Sequence, residues 1–403
     1  MVVSPFLDRQ HGTELCVIEQ LERLSSTYHW TIELYSQRVE KIKGLRSDAD
    51  PEEPSQGVLR WHKLPGIPGP HLLKYLWWFF NNQWRRWLDR HSGRVRPDLV
   101  YSPGINCLDA NVIVVHIVFH AFYQSIRAEL ALHRLPLESW PRVIHRKLYY
   151  QLIMFLERMV YRDPSVRLIA VSSLVAQKLK TIFGRTDVAI IPNAADTARF
   201  TPELRQARRV ESRGLFHFQE EEFVILLIGN DWKNKGLDTL LRALTKLGDL
   251  PVRALIVGSD DPGTYRITIE QLGLHERIYF QTPSSDVIRF YAATDVYVSP
   301  SLEDAFNLPI VEAMACGLPV IASIHAGASE NIRDGETGFL LQDPRDSQQL
   351  AQLLRRTADD PGLRSRVGAA ACRYVQANCT WDSNVSKTHE FLEATCRNRT
   401  HSV

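Results

Sequence analysis

The chain has 403 residues, of which 44% are hydrophobic and 23% charged, with a formal net charge of +2. That length exceeds what one core ordinarily holds, so two globular domains are expected, and the near-neutral balance gives no case for a nucleic-acid partner. The six cysteines are scattered without a C-x-x-C pair, which argues against a disulfide framework or zinc site and for free thiols in a reducing, cytoplasmic setting.

Residues 2–3 read as the stub of a first strand; either that strand is short or the protein starts upstream. The loop His11-Gly12-Thr13-Glu14 leads into a helix over residues 13–24, and residues 31–36 form a strand. Residues 44–57, rich in Pro and acids, predict a loop. Gly66-Ile67-Pro68-Gly69-Pro70 breaks the chain before a long helix, 71–91. Short buried strands are expected at 99–101 and 112–115, the latter ending at His116. A helix over 143–161, a strand over 168–171 and a helix over 173–183 follow. Residues 202–213, charged and poor in hydrophobics, predict the interdomain linker. A second alternation then begins: strand 223–228, helix 237–247, strand 253–257, helix 265–272, strand 277–280, helix 285–292, strand 295–298. Such βαβ repetition means a parallel sheet with helices on both faces. A last helix runs from about residue 381 to 395.

Within the 71–91 helix, Leu73, Leu76, Trp77, Phe80, Trp84, Trp87 and Leu88 recur at helical spacing, which predicts a stripe packed on the sheet. Trp78, Arg85 and Arg86 are left, with Lys74, as a basic aromatic rim. Arg142, His145, Arg146 and Lys147 add positive charge before the next helix. The other use of residues 71–91 and 142–147 is peripheral contact with anionic lipid. The apolar run 72–80 is too short to span a bilayer and Lys74 interrupts it.

The run Val296 to Ser323, VYVSPSLEDAFNLPIVEAMACGLPVIAS, carries the most chemistry. An apolar strand ends in the acidic loop Ser301-Leu302-Glu303-Asp304, a turn Ala305 to Leu308 follows, and Pro309 suits the first turn of a helix, 310–316. Asp304 and Glu312 then flank one helix N-terminus, and the amides of Phe306, Asn307 and Leu308 point into the same crevice. Glu312, in the first turn, should be ionised and favoured by the helix dipole, and can accept from the two vicinal hydroxyls of a ribose.

This segment resembles the E-x7-E signature of the family 4 retaining glycosyltransferases, with Asp304 for the first acid, Asn307 where Gly is usual, and Glu312 as the second acid. Further segments match in order: His11-Gly12-Thr13-Glu14; Ile190-Ile191-Pro192-Asn193-Ala194-Ala195-Asp196-Thr197-Ala198-Arg199-Phe200; Leu226 to Gly236; and Gly335-Glu336-Thr337-Gly338-Phe339-Leu340. The resemblance implies an α/β protein of the GT-B fold, two Rossmann-like domains whose parallel sheets face a central cleft. Residues 1–201, completed by 381–403, would be the acceptor-side domain and 202–380 the nucleotide-sugar-binding domain.

The resemblance further implies retaining transfer of a hexose from a nucleoside diphosphate sugar to the hydroxyl of a sugar or lipid-linked acceptor, in glycan, glycolipid or cell-envelope polysaccharide synthesis. His116, Lys235 and Asp304 are the catalytic candidates. Glu312 would hold the ribose, while Asp304 and the Phe306, Asn307 and Leu308 amides orient the donor sugar. Thr282 and Pro283 would line the base pocket. Lys235 would offset the diphosphate charge, and the helix opened by Gly12 would aim amides at the same phosphates. Asn230 stands where the family usually has Arg, so a bidentate phosphate ligand is missing, and Lys233 is the candidate to replace its charge. His116 stands near the donor sugar, with His120 its competitor. Neither a metal nor a cofactor is expected, the sugar nucleotide being a substrate. The location implied is cytoplasmic, peripheral at the membrane inner face if the lipid contact is made. Two rivals share the fold: a nucleotide-sugar epimerase, against which the Asp304/Glu312 pattern argues, and a catalytically degenerate sugar-nucleotide-binding protein.

Overall fold

The computed structural model describes residues 1–9, 11–47, 57–127, 130, 140–248 and 250–400. Two compact units result: Met1–Ile191 with Asn384–Val403, and Pro192–Ser383. The division falls ten residues ahead of the expected one.

The first unit runs β1 (Val2–Val3), β2 (Phe6–Leu7), α1 (Gly12–Ser26), β3 (Ile32–Ser36), β4 (Arg38–Val39), β5 (Leu45–Ser47), β6 (Leu59–Lys63), α2 (His71–His91), β7 (Tyr101–Pro103) and β8 (Val112–Val115). It continues through α3 (Phe119–Ile126), α4 (Trp140–Tyr161), β9 (Arg167–Ala170), α5 (Ser173–Phe183) and β10 (Ala189–Ile190). Its main sheet is parallel, in the order β10-β9-β8-β7-β1-β3-β6-β5. The expected loop over 44–57 begins instead as β5, and residues 48–56 of it lie outside the described residues. α5 shows why helices sit where they do: the Ser172 hydroxyl accepts from the Val175 amide at 3.3 Å, and Gly184 ends the helix at φ +76°.

The second unit holds α6 (Pro202–Ala207), α7 (Arg209–Leu215), β11 (Phe223–Ile228), α8 (Leu237–Leu244), β12 (Val252–Val257), α9 (Arg266–Gln271), β13 (Ile278–Gln281), α10 (Ile288–Ala293) and β14 (Val296–Ser299). After these come α11 (Leu308–Ala315), β15 (Val320–Ser323), β16 (Phe339–Leu341), α12 (Ser347–Asp359) and α13 (Pro361–Asn378). The last helix, α14 (Trp381–Thr400), belongs to the first unit from Asn384 onward. All pairings in the second sheet are parallel, in the order β13-β12-β11-β14-β15-β16. Its strands are near-continuous apolar runs because both faces are covered, and Ile225, Leu227, Ile256 and Val298 are all essentially buried.

Two expectations are corrected here. Residues 202–213 are not a linker but α6 and α7, packed on the second unit. Their arginines look solvated in the sequence yet each has a fixed acceptor. Arg205 donates to the Tyr291 and Thr294 carbonyls, while Arg209 and Arg213 reach the Asp295 carboxylate at 2.6 and 2.8 Å. Burial would raise the Asp295 carboxyl, but those two guanidinium groups outweigh it and hold the pKa below the ordinary range.

The second correction concerns α2, whose faces are the reverse of the expected ones. Trp78 and Phe79 are buried, together with Asn82, Arg86 and Asp89. Leu73, Trp77, Phe80, Trp84, Trp87 and Leu88 face water, with Phe80 65% and Trp84 62% exposed. The buried polar groups are tolerated because each is partnered. Arg86 forms a two-pronged pair with Asp109 (2.8 Å for each arm), Asn82 donates to the Asn106 carbonyl at 3.0 Å, and Asp89 accepts from the Tyr35 hydroxyl at 2.9 Å. Arg86 and Arg90 in turn hold the Asp109 carboxyl down to about 2 against the opposing effect of burial.

Candidate functional site

In the second sheet the chain steps outward from β11 to β12 and β13, then returns to lay β14 on the other side of β11. The order therefore reverses between β11 and β14, and it is outside the carboxyl ends of strands at such a reversal that open α/β sheets bind ligands. The turn after β11 carries Asn230 to Lys235, and the loop after β14 carries Ser301 to Asp304. Gly236 clasps the two. At φ +79°, a β-carbon there would lie 2.0 Å from the Pro300 carbonyl oxygen, so only glycine allows the approach. The Leu302 amide donates to the Asn234 carbonyl at 2.7 Å, and the Asn234 side chain donates to the Glu303 carbonyl at 2.7 Å.

Across this clasp the Lys235 ammonium is ion-paired to the Asp304 carboxylate, both side chains being largely buried. The sequence reading gave these residues separate tasks; the structure joins them. An ammonium has three donors, so Lys235 keeps two for other oxygens while Asp304 fixes its position. The Asp304 loop is itself rigid. The Asp304 amide donates to the His325 carbonyl (3.0 Å), its carbonyl accepts from Gly327 (3.0 Å), and its carboxylate accepts from the Phe306 amide (3.3 Å). The Phe306 amide is thus already engaged, whereas those of Asn307 and Leu308, at the start of α11, donate to no protein acceptor among the described residues.

Asn307 does not stand out into the crevice. It adopts φ +72°, the left-handed region that favours glycine and that Asn tolerates better than other side chains. Its side chain is buried, donating to the Ser299 hydroxyl at 2.7 Å and accepting from the Tyr297 hydroxyl at 3.3 Å. Asn307→Ala should therefore lose both bonds and retain the strained backbone, a cost of about 2–4 kcal/mol in urea unfolding. Asn307→Gly should cost less, since it relieves the backbone.

Because α11 begins at Leu308, Glu312 lies in its second turn and not its first, so the dipole acts on it less than expected. Burial raises its carboxyl above the ordinary range, opposed by the Tyr291 hydroxyl, which donates to it at 2.6 Å, and by the charge of Arg199. Tyr291 and Arg199 are residues the sequence reading missed. Arg199 lies in the Ile190 to Phe200 stretch, but nothing in its spacing ties it to Glu312; Tyr291 is buried in a helix and has no local signal at all. Thr282 and Pro283 are exposed just past the end of β13, on the same edge of the sheet. The Asn230 side chain accepts from the Ser259 amide at 2.9 Å, clasping the β11 and β12 loops, and Lys233 is exposed beside it.

In the first unit the order reverses between β1 and β7. Gly12, exposed, opens α1, and His11 before it is held by Asp8, which accepts from its amide at 3.0 Å and lies 2.8 Å from its Nδ1. His116 follows β8 and is partly accessible, though burial still pushes its imidazole down to about 4. His120 is committed elsewhere: its Nδ1 lies 2.6 Å from Glu157, whose carboxylate also accepts the Phe119 and His120 amides at 2.7 and 3.0 Å, capping α3. Among the described residues, no group of three or more His, Cys, Asp or Glu is placed to hold a metal ion.

Known proteins resemble this chain in two tandem blocks. The family described as "Glycosyltransferase Family 4" matches residues 26–199, and that described as "Glycosyl transferases group 1" matches residues 210–373. The D-inositol 3-phosphate glycosyltransferase of Mycobacterium sp. (strain KMS) is 33% identical over 189 residues, 44% of this chain and 42% of that protein. The chain spans about half the length of the curated relatives it matches. Sucrose-phosphate synthase from Thermosynechococcus elongatus superposes with a TM-score of 0.74 at 19% identity, covering 98% of each chain. HepE from Anabaena, in complex with UDP-glucose, gives a TM-score of 0.69 at 19% identity over 98% of this chain and 99% of that one. At such identities the structures bear on fold alone, and they share these two Rossmann-like domains. The fold is GT-B, and with a glycosyltransferase family matched in each half, this chain belongs to the family 4-like, group 1 glycosyltransferases.

Proposed function

We propose that this chain is a retaining hexosyltransferase, which moves a hexose from a nucleoside diphosphate sugar to the hydroxyl of a sugar or lipid-linked acceptor. Glycan, glycolipid or cell-envelope polysaccharide synthesis is the setting we assign to it. The observation that carries this reading is the Lys235–Asp304 pair at the reversal point of the second sheet, one helix away from Glu312. As the sugar–oxygen bond breaks, negative charge grows on the leaving diphosphate. Lys235 meets that charge with an ammonium already fixed in place, so little reorganisation is needed. The Asn307 and Leu308 amides add donors at a helix N-terminus. Glu312 accepts from the ribose hydroxyls, and Thr282 and Pro283 flank the base. We assign the acceptor side to the first unit, where His116, neutral at pH 7, orients a hydroxyl by hydrogen bonding. A front-face path, in which the departing phosphate takes the acceptor proton, accounts for retention. The buried thiols Cys16, Cys107, Cys316, Cys372 and Cys379, none of them in a disulfide, suit a cytoplasmic location.

The test is transfer and hydrolysis with UDP-, GDP- and ADP-sugars, UDP-glucose first because a fold relative is seen with it. One donor should turn over. A second reading, a binding protein that has lost catalysis, draws on Asn230, whose side chain clasps the Ser259 amide where a guanidinium would grip phosphate. Donor binding without turnover of any donor would favour it.

The raised Glu312 carboxyl gives a pH dependence. Only the ionised form accepts from both ribose hydroxyls, so nucleotide affinity should fall as pH drops through that carboxyl's pKa. The Tyr291 hydroxyl stabilises the ionised form. Tyr291→Phe should therefore raise the pKa further and move the midpoint of the affinity profile to higher pH. Calorimetric titration of the nucleoside diphosphate across a pH series checks this; an unmoved midpoint would separate Tyr291 from the site.

A further inference from the structure

We propose that α2 and α4 together form an interfacial surface that docks the first unit on an anionic lipid bilayer. The two helices pack side by side: the Leu72 amide donates to His145 Nε2 at 3.1 Å, and the Tyr75 and Tyr149 rings meet edge to face at 5.8 Å. Each turns an apolar stripe outward. On α2 it is Leu73, Trp77, Phe80, Trp84, Trp87 and Leu88; on α4 it is Ile144, Leu148, Phe155 and Met159. Phe80, Trp84 and Phe155 are each more than 60% exposed. Scattered exposed apolar side chains are ordinary, but ten on two adjoining helices, with three tryptophans, make a binding surface.

Charge identifies the occupant. The acids of these two helices, Asp89 and Glu157, are both buried and engaged, Asp89 with Tyr35 and Arg85, Glu157 with the start of α3. The exposed charges, Lys74, Arg142, Arg146 and Arg158, are all basic. Tryptophan and phenylalanine bordered by Lys and Arg, with no accessible acid on either helix, is the pattern of a helix lying in the plane of the headgroups. Anionic lipid would be drawn to the rim while the rings enter the acyl boundary. A second copy of the chain fits poorly, since a two-fold contact through one face would set these cations against each other. No described helix is long and apolar enough to cross a membrane, so the contact is peripheral. The surface suits a lipid-linked acceptor, but it does not depend on that proposal, nor on catalysis.

The experiment is co-sedimentation of the full chain with phosphatidylcholine vesicles, with and without phosphatidylglycerol, without any sugar nucleotide. The wild-type chain should sediment with the anionic vesicles, less so as salt rises. Trp84→Ser with Trp87→Ser, both exposed and so not required for the core, should weaken binding by roughly tenfold or more. Lys74→Glu with Arg146→Glu should abolish the preference for phosphatidylglycerol. Circular dichroism confirms that each variant is folded. Absence of binding to either vesicle, or binding unchanged in both variants, overturns the proposal. A concentration-dependent dimer lost in the tryptophan variant, with no vesicle binding, would give this face to a second copy instead.

Discussion

Lys235→Ala is expected to lower turnover by roughly a hundredfold, the effect of removing one fixed charge from a developing anion in a sheltered site. Donor affinity should change less, because the ammonium matters most once the diphosphate begins to leave. A complication arises from Asp304, which loses its partner in this variant and is left as an anion near the phosphates. Combining Lys235→Ala with Asp304→Asn separates the two effects. If repulsion by the stranded carboxylate caused most of the loss, the double variant recovers activity; if the missing cation caused it, it does not. A near-normal rate for Lys235→Ala would move the charge-compensating role to Lys233, exposed nearby.

Glu312→Ala should weaken binding of the nucleoside diphosphate by about 1.5–3 kcal/mol, since the ribose hydroxyls lose a charged acceptor. It also strands the Tyr291 hydroxyl, which is fully buried and donates to Glu312. Glu312→Gln is the informative companion. Its amide oxygen can still accept from Tyr291, so the fold should keep its stability while affinity still drops. Equal nucleotide affinity in wild type and both variants would remove Glu312 from the ribose site.

What could be read in advance follows from where the signal resides. The βαβ alternation of the second unit was legible because its strands are covered on both faces and stand out as short apolar runs. The meeting of Lys235 and Asp304, 69 residues apart, was not. It depends on β14 lying beside β11, a fact about strand order that no local pattern encodes. α2 shows the opposite failure. Periodicity was obvious there, but it cannot say which face is inside when both carry large apolar groups. The answer lay in Asp109, Asn106 and Tyr35, residues of other elements that satisfy Arg86, Asn82 and Asp89. Residues 202–213 misled for the same reason, since Arg205, Arg209 and Arg213 find their acceptors around residues 291–295. At Asn307 the identity was plain, but its direction followed only from the left-handed backbone and the hydroxyl of Ser299.

The first unit is assembled from two stretches of chain that lie on either side of the whole second unit in sequence. Its closing piece, within α14, is bonded inward at several points: Asn384 accepts from Gln20 at 3.0 Å, His389 from Trp30 at 3.0 Å, and Arg399 donates to the Asp98 carbonyl at 3.1 Å. During synthesis the second unit can therefore close as soon as its continuous segment has emerged. The first must wait, with a slot open beside α1, until the helix that follows the second unit returns to fill it. The unit that comes first along the chain is thus completed after the one that interrupts it.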